Sequence, residues 1–395
     1  MITNDFFKHQ AQTTPHPFAM EISSAEGSYI YDQNKTPYLD FVAGVSACSL
    51  GHRHPKVVAA IKKQLDSYMH VMVYGEYIQS PAVKLCKLLA SHLPHKLEKT
   101  YLTNSGTEAI DGAMKLARRY TGRSEIIAAK NAYHGNTMGA LSVMGYEERK
   151  QPFRPLIPDI RFIEFNKLKE LSKITTKTAA VILETIQGGA GFIEPENGYL
   201  KHVQEKCNSV GAMLILDEIQ PGIGRTGKLF GFENYNCVPD IVVTGKGLGG
   251  GMPIGAFTAS EEMMDSLSDE PKLGHITTFG GHPVACASAA AFLRVLTSEI
   301  DLKMLPKIAD IFLDTIGKHK DIKEIRNKGL MFAFDMESAA RVEKVVKRCL
   351  EKKILTFWFL SHPYSFRLAP PLNITSEQAT HFANEILKAI EDTCD

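Results

Sequence analysis

The chain has 395 residues, of which 44% are hydrophobic and 23% charged, with 45 Lys and Arg against 44 Asp and Glu for a formal net charge of +1. This composition suits two or three globular domains and excludes disorder, collagen or coiled coil for the chain as a whole. Without a basic excess to neutralise a phosphate backbone, nucleic acid is not an expected partner.

The first residues, MITNDFFKHQ, lack the basic start and apolar stretch of a secretory signal. Ser28–Phe41 reads as a hairpin, Tyr29–Tyr31 and Tyr38–Phe41 flanking a turn-rich Asp32–Pro37. From Pro55 helices and short apolar strands alternate. A helix over Pro55–Tyr68 carries Val57, Ile61, Leu65 and Tyr68 at three-to-four spacing, and another opens at Pro81 with Leu85, Leu88 and Leu89 on one face. Strands are expected at Thr100–Thr103, Glu125–Ala129, Ile160–Ile163, Ala179–Leu183, Ala212–Leu216 and Ile241–Thr244, with helices at Glu108–Tyr120 and Tyr199–Val210 between them. Interleaving of this kind implies a mostly parallel sheet covered on both faces, an α/β fold. The last hundred residues differ: helices near His282–Ser298 and Leu302–His319, a strand at Leu330–Asp335, a helix at Ala339–Glu351 and two more strands. They suggest a smaller α+β domain completed by the N-terminal hairpin. The expected division is 1–50 with 291–395 as the small domain and 51–290 as the large one. No run approaches the ~20 apolar residues of a membrane span, and Ala285–Leu293 is too short. The seven cysteines, Cys48, Cys86, Cys207, Cys237, Cys286, Cys349 and Cys394, include no C-x-x-C pair. Free thiols in a reducing, cytoplasmic setting are expected, with no metal site.

In parallel sheets, ligands sit beyond the carboxyl ends of the strands. Three such ends carry chemistry. Asn104-Ser105-Gly106-Thr107-Glu108 follows a strand and opens a helix; Ser105 and Glu108 have capping-box spacing, and Gly106 lets a ligand approach the first-turn amides. An ordinary capped helix fits the same letters. Asp217 ends the apolar run 212–216, where a carboxylate needs a cation or good hydrogen bonds. The following Gly222-x-Gly224-x-x-Gly227 matches a dinucleotide fingerprint, but no helical period follows it. Read instead as a phosphate loop, Gly222–Lys228 has Leu229 where Ser or Thr must ligate magnesium. Both nucleotide readings are set aside. Lys246 ends the strand Ile241–Thr244 between Gly245 and Gly247, where desolvation would lower its pKa and favour Schiff-base chemistry; a lysine snorkelling from a glycine turn is the alternative.

Together the three ends suggest pyridoxal phosphate, which needs a lysine for its aldehyde, an acid for its pyridine nitrogen and an anion cradle for its phosphate. At these residues the chain resembles the class III aminotransferases, pyridoxal-phosphate enzymes of the aspartate-aminotransferase fold, especially the acetylornithine and ornithine branch. The resemblance runs from Gly51–Pro55 through Asn104–Ala109, Tyr133–Gly135, Glu184–Gly188, Leu216–Gly227 and Thr244–Gly255 to Thr277–Pro283 and Arg367–Leu372. It implies fold type I, with the large domain binding the cofactor. It also implies roles. Lys246 forms the Schiff base and shuttles the proton, Asp217 pairs with the pyridinium, and Gln220 lies near the ring hydroxyl. Ser105, Gly106 and Thr107 hold the phosphate, and Tyr133 stacks on the ring. Thr278 reaches the phosphate of a neighbouring subunit in a homodimer, and Arg367 meets the substrate carboxylate.

Two positions depart from the branch. After the aromatic-x-Gly it usually has an arginine that grips the distal carboxylate of 2-oxoglutarate, where this chain has Asn136. It also has a glutamate that covers the second arginine, where this chain has Gly189. The sequence therefore points to a transaminase moving an amino group from an amino acid or ω-amino donor to a keto acid, with a substrate other than standard acetylornithine or ornithine. A decarboxylase or aminomutase on the same cofactor, a true acetylornithine aminotransferase, and a binding protein that has lost catalysis remain as alternatives.

Overall fold

The computed structural model describes residues 2–394; Met1 and Asp395, the outermost residues of the two terminal segments, lie outside it. Three strands come first, β1 (Ile22–Glu26), β2 (Tyr29–Asp32) and β3 (Pro37–Asp40). Seven follow: β4 (Lys99–Thr103), β5 (Glu125–Ala129), β6 (Ile160–Ile163), β7 (Thr178–Glu184), β8 (Met213–Asp217), β9 (Ile241–Gly245) and β10 (Gly255–Ala259). The last are β11 (Glu324–Lys328), β12 (Met331–Asp335), β13 (Ile354–Leu355), β14 (Phe357–Trp358) and β15 (Ser365–Leu368).

The seven middle strands form one sheet in the order β4-β10-β9-β8-β7-β5-β6. All its pairings are parallel except those of β10, which runs antiparallel to both β4 and β9. Both faces are buried, and alternation along a strand divides the core between them. On β7, Ala180 and Ile182 join the cluster under the helix Gly106–Thr121, while Val181 and Leu183 join the larger core on the other side. That helix lies close on the sheet because Gly112 has no side chain: a Cβ there would come within 2.4 Å of the Phe257 ring. The opposite face carries Pro283–Glu299, which packs on the helices Pro55–Leu65 and Ser80–His92. No single helix among the described residues is long and apolar enough to cross a membrane.

Two four-stranded sheets stand apart, β1-β2-β3-β13 and β11-β12-β15-β14. In the first, β13 from the C-terminal part pairs parallel to β3 from the N-terminal hairpin, Ile354 opposite Leu39. Arg225, 1% exposed, pins the segments further: it donates to the Pro370 carbonyl at 2.5 Å and to Ser49 Oγ at 3.0 Å. The Gly222–Lys228 segment around it is a run of turns followed by a 3₁₀ turn at Gly231–Tyr235, with no helix for either nucleotide motif to open. The Pro55 helix ends at Leu65, three residues before the periodicity suggests, and Gln64 donates to the Tyr68 carbonyl beyond it.

Candidate active site

The ends of β4, β7, β8 and β9 bring the candidate residues together. The registers place Glu184 opposite Asp217 and Asp217 opposite Val243, three residues before Lys246. Gly245, the last residue of β9, backs onto Gly106: a Cβ built on Gly245 would lie 3.4 Å from the Gly106 Cα.

Lys246 follows β9 with φ of 43°, a left-handed backbone that a non-glycine residue seldom adopts and that functional sites often hold. Its amine has no hydrogen-bond partner among the described residues. Burial pushes its pKa below the usual lysine value; Asp217 and Glu184 oppose the fall and Arg367 adds to it. An uncharged amine is a nucleophile, so this environment prepares the lysine for a carbonyl.

Asp217 is 3% exposed and meets the need for compensation with two donors. His134 Nδ1 lies 2.8 Å from Oδ2, and the Ile219 amide donates to Oδ1 at 2.9 Å. His134 is itself buried, and its Nε2 has no partner. Glu184 accepts from the Tyr133 amide at 2.9 Å and the Gly188 amide at 2.7 Å. Burial drives its pKa up to about 7. Glu218 accepts from Thr185 Oγ1 and from the Gly231 and Phe232 amides, and burial likewise raises it to about 7. His134 and Glu184 stood in the recognisable motifs without a role. The signal that could have found Glu184 is the one that found Asp217: a carboxylate closing an apolar strand.

Ser105 caps the helix Gly106–Thr121, its hydroxyl accepting from the Glu108 amide at 3.4 Å. The return arm differs from the expected box. Glu108 accepts from the amide of Asn104, not of Ser105, at 2.7 Å. The amides of Gly106 and Thr107 fall in the first helical turn, before any intrahelical acceptor is available. A Cβ on Gly106 would meet Ile219 Cδ1 at 2.6 Å, so the helix start is held tightly to the β8 end. The Thr107 hydroxyl is engaged with Thr137 Oγ1 at 2.7 Å.

Tyr133 is half-buried, and Asn136, exposed, donates to its hydroxyl at 3.1 Å. Gln220 adjoins Glu184, since a Cβ on Gly188 would meet Gln220 Oε1 at 2.2 Å and Glu184 Oε2 at 3.2 Å. Arg367, on β15, lies over the Phe357 and Phe359 rings at 5.6 and 5.8 Å. Burial lowers its pKa to about 10, and it pairs with no carboxylate among the described residues. Thr278 is exposed, on a segment away from this cluster's hydrogen bonds.

These residues fit pyridoxal phosphate on features of the structure itself: an amine without a partner, a braced buried carboxylate, open first-turn amides at Gly106 and Thr107, and a guanidinium without an acid.

Comparisons with known proteins agree. The family model described as "Aminotransferase class-III" matches residues 10–390. The acetylornithine aminotransferase of Clostridium acetobutylicum is 39% identical over 91% of this chain and 94% of its own length. The [LysW]-aminoadipate semialdehyde/glutamate semialdehyde transaminase of Sulfolobus acidocaldarius is 35% identical over 94% of this chain and 96% of its own. Among solved structures, the ornithine aminotransferase of Toxoplasma gondii superposes with a TM-score of 0.91 at 32% identity, covering 99% of this chain and 95% of that one.

Proposed function

The chain belongs to the class-III aminotransferases and works with pyridoxal phosphate, and on that premise we propose that it moves an amino group from an amino acid or ω-amino donor to a keto acid in two half-reactions on Lys246. The observation that carries this reading is the half-buried, partnerless Lys246 amine, its pKa lowered by desolvation, beside the braced Asp217 carboxylate.

When bound, the cofactor supplies an aldehyde that condenses with amines and a ring that delocalises the electron pair left on the substrate carbon. The residues of the chain do the rest. Lys246 would hold the cofactor between turnovers and, as a free amine, would move the proton from the substrate carbon to the cofactor's aldehyde carbon. Asp217, held by His134 and the Ile219 amide, would keep a proton on the ring nitrogen. Gly106 and Thr107, with Ser105, receive the phosphate. Tyr133, tied through its amide to Glu184, would stack on the ring, and Gln220, beside Glu184, would serve the ring hydroxyl. Arg367 takes a substrate carboxylate in bidentate fashion.

The donor is proposed to differ from the standard acetylornithine or ornithine substrate. Asn136 is neutral and occupied with Tyr133, and Gly189 has no carboxylate to cover Arg367, so the two-arginine, one-gate arrangement of the branch is incomplete. A missing bidentate pair costs on the order of 2–4 kcal/mol, roughly 30- to 1,000-fold in binding. Steady-state kinetics with N-acetylornithine and 2-oxoglutarate should give kcat/KM below ~10⁴ M⁻¹s⁻¹. Values at or above that for both substrates would identify a true acetylornithine aminotransferase, the alternative its relatives favour over a decarboxylase or aminomutase.

We also propose a cytoplasmic homodimer with shared sites, and a division into 51–290 as the cofactor domain and 1–50 with 291–395 as the small one. The β3–β13 pairing supports the second. Supporting the first is an uncovered apolar surface: Met69, Tyr77, Ile78 and Phe279, next to Thr278, are all more than half exposed. If Thr278 serves the neighbour's phosphate, Thr278→Ala should weaken cofactor binding about tenfold while sedimentation still shows a dimer. A fully active monomer at assay concentration would exclude this arrangement.

A further inference from the structure

Arg367 is held by rings, and its guanidinium makes no hydrogen bond to any described residue. The sheet register explains the arrangement. On β15, Arg367 stands directly opposite Phe357 of β14 on one side and Ala333 of β12 on the other. Directly opposed residues share a sheet face, so the arginine lies between a ring and a methyl group. Side-chain alternation returns Phe359 to the face of Phe357. The small Ala333 leaves the guanidinium room over both rings, 5.6 and 5.8 Å from their centroids.

Both rings are themselves fixed. Phe359, 2% exposed, packs edge-to-face with Phe192 at 4.8 Å, and both belong to an apolar cluster with Ile186, Met331 and Ala333. Phe357 stacks on Trp358 at 4.5 Å and meets Phe18, from the segment before β1, at 6.1 Å and a right angle. The backbone is tied as well, since Thr356 Oγ1 donates to the Arg367 carbonyl at 2.6 Å.

A guanidinium in a desolvated place needs compensation. A protein carboxylate would supply it but would occupy the N–H fork that a substrate carboxylate needs. A ring face attracts the cation through its quadrupole and uses no N–H. The Arg367 nitrogens are accordingly unbonded, yet none is sealed from solvent. Its charge is felt at Lys246, which places it at the reacting end of the site. A side chain fixed before the ligand arrives also loses less rotamer freedom on binding.

We propose that Phe357 and Phe359 are positioning residues: they hold the Arg367 guanidinium in one orientation, its N–H fork free, for the carboxylate of the substrate. This rests on the transaminase reading above for the ligand and adds to it two residues that act through Arg367.

The test is titration of the holoenzyme with butyrate and with butyramide, its uncharged counterpart, by calorimetry and by fluorescence of Trp358, the chain's single tryptophan. The native enzyme should bind butyrate more tightly. Phe357→Leu should weaken butyrate roughly 3- to 30-fold and leave butyramide unchanged. Phe357→Tyr, which restores a ring face, should recover most of the loss, and Phe359→Leu should act in the same direction as Phe357→Leu. In steady state, KM for a carboxylate-bearing amino donor should carry the loss rather than kcat. Equal losses for both ligands, a loss that tyrosine does not recover, or unchanged butyrate affinity would each overturn the proposal, the first two by reducing Phe357 to a packing residue. The titration needs no turnover. Absence of any amine transfer would therefore count against the transaminase reading while the butyrate result stood, and amine transfer with unchanged butyrate affinity would sink the ring clamp alone.

Discussion

Lys246→Ala is expected to lower turnover by roughly 10⁴-fold or more and to remove the absorption band of the lysine-bound cofactor. The magnitude follows from the residue's double duty. One amine both holds the aldehyde and moves the proton, and nothing adjacent can replace it: the other titratable groups acting on it are Asp217, Arg367 and Glu184, two acids and a cation. Folding should survive, because the amine makes no hydrogen bond whose loss would strand a partner. The variant should still take up the cofactor through the Gly106 and Thr107 amides and Asp217, giving the spectrum of a free aldehyde. Retention of full activity would remove Lys246 from the chemistry.

Asp217→Ala should cost about 10²- to 10⁴-fold in rate at saturating cofactor, because the ring then loses its proton and with it the capacity to accept the electron pair. This substitution also disturbs the structure. His134 Nδ1 and the Ile219 amide lose their acceptor in a buried place, a destabilisation of about 1–3 kcal/mol. Asp217→Asn separates the two effects, since its amide oxygen can still accept one of these bonds while carrying no charge. Asparagine should recover most of the melting temperature and little of the rate. Equal activity of either variant with the native enzyme would contradict the assigned role.

Much of the fold was legible because its strands are short apolar runs closed by a distinctive residue. Glu125–Ala129 and Ile160–Ile163 have the bounds their letters suggest, and Asp217 and Lys246 stand at or just past strand ends as read. Strand β10 was not legible. Gly255–Ala259 is GAFTA, small residues after a glycine-rich stretch, and it becomes a strand only because β4 and β9 both pair with it. Strands β1 and β11, ISSAE and EIRNK, carry polar edges without a core pattern. At the site, the residues that touch the cofactor in the proposed scheme carry their own chemical signals. The residues that hold them do not. His134 on Asp217 is separated from it by 83 positions. Such pairs arise from the packing of distant segments, which neither spacing nor composition encodes.

The most direct test of the account is borohydride reduction of the purified holoenzyme followed by peptide mass mapping. Reduction fixes the carbon–nitrogen bond between the cofactor and its lysine, so the mass map identifies that lysine outright. The account predicts a pyridoxyl group on the peptide carrying Lys246 and on no other lysine. A pyridoxyl group elsewhere, or none on a yellow protein, would contradict it.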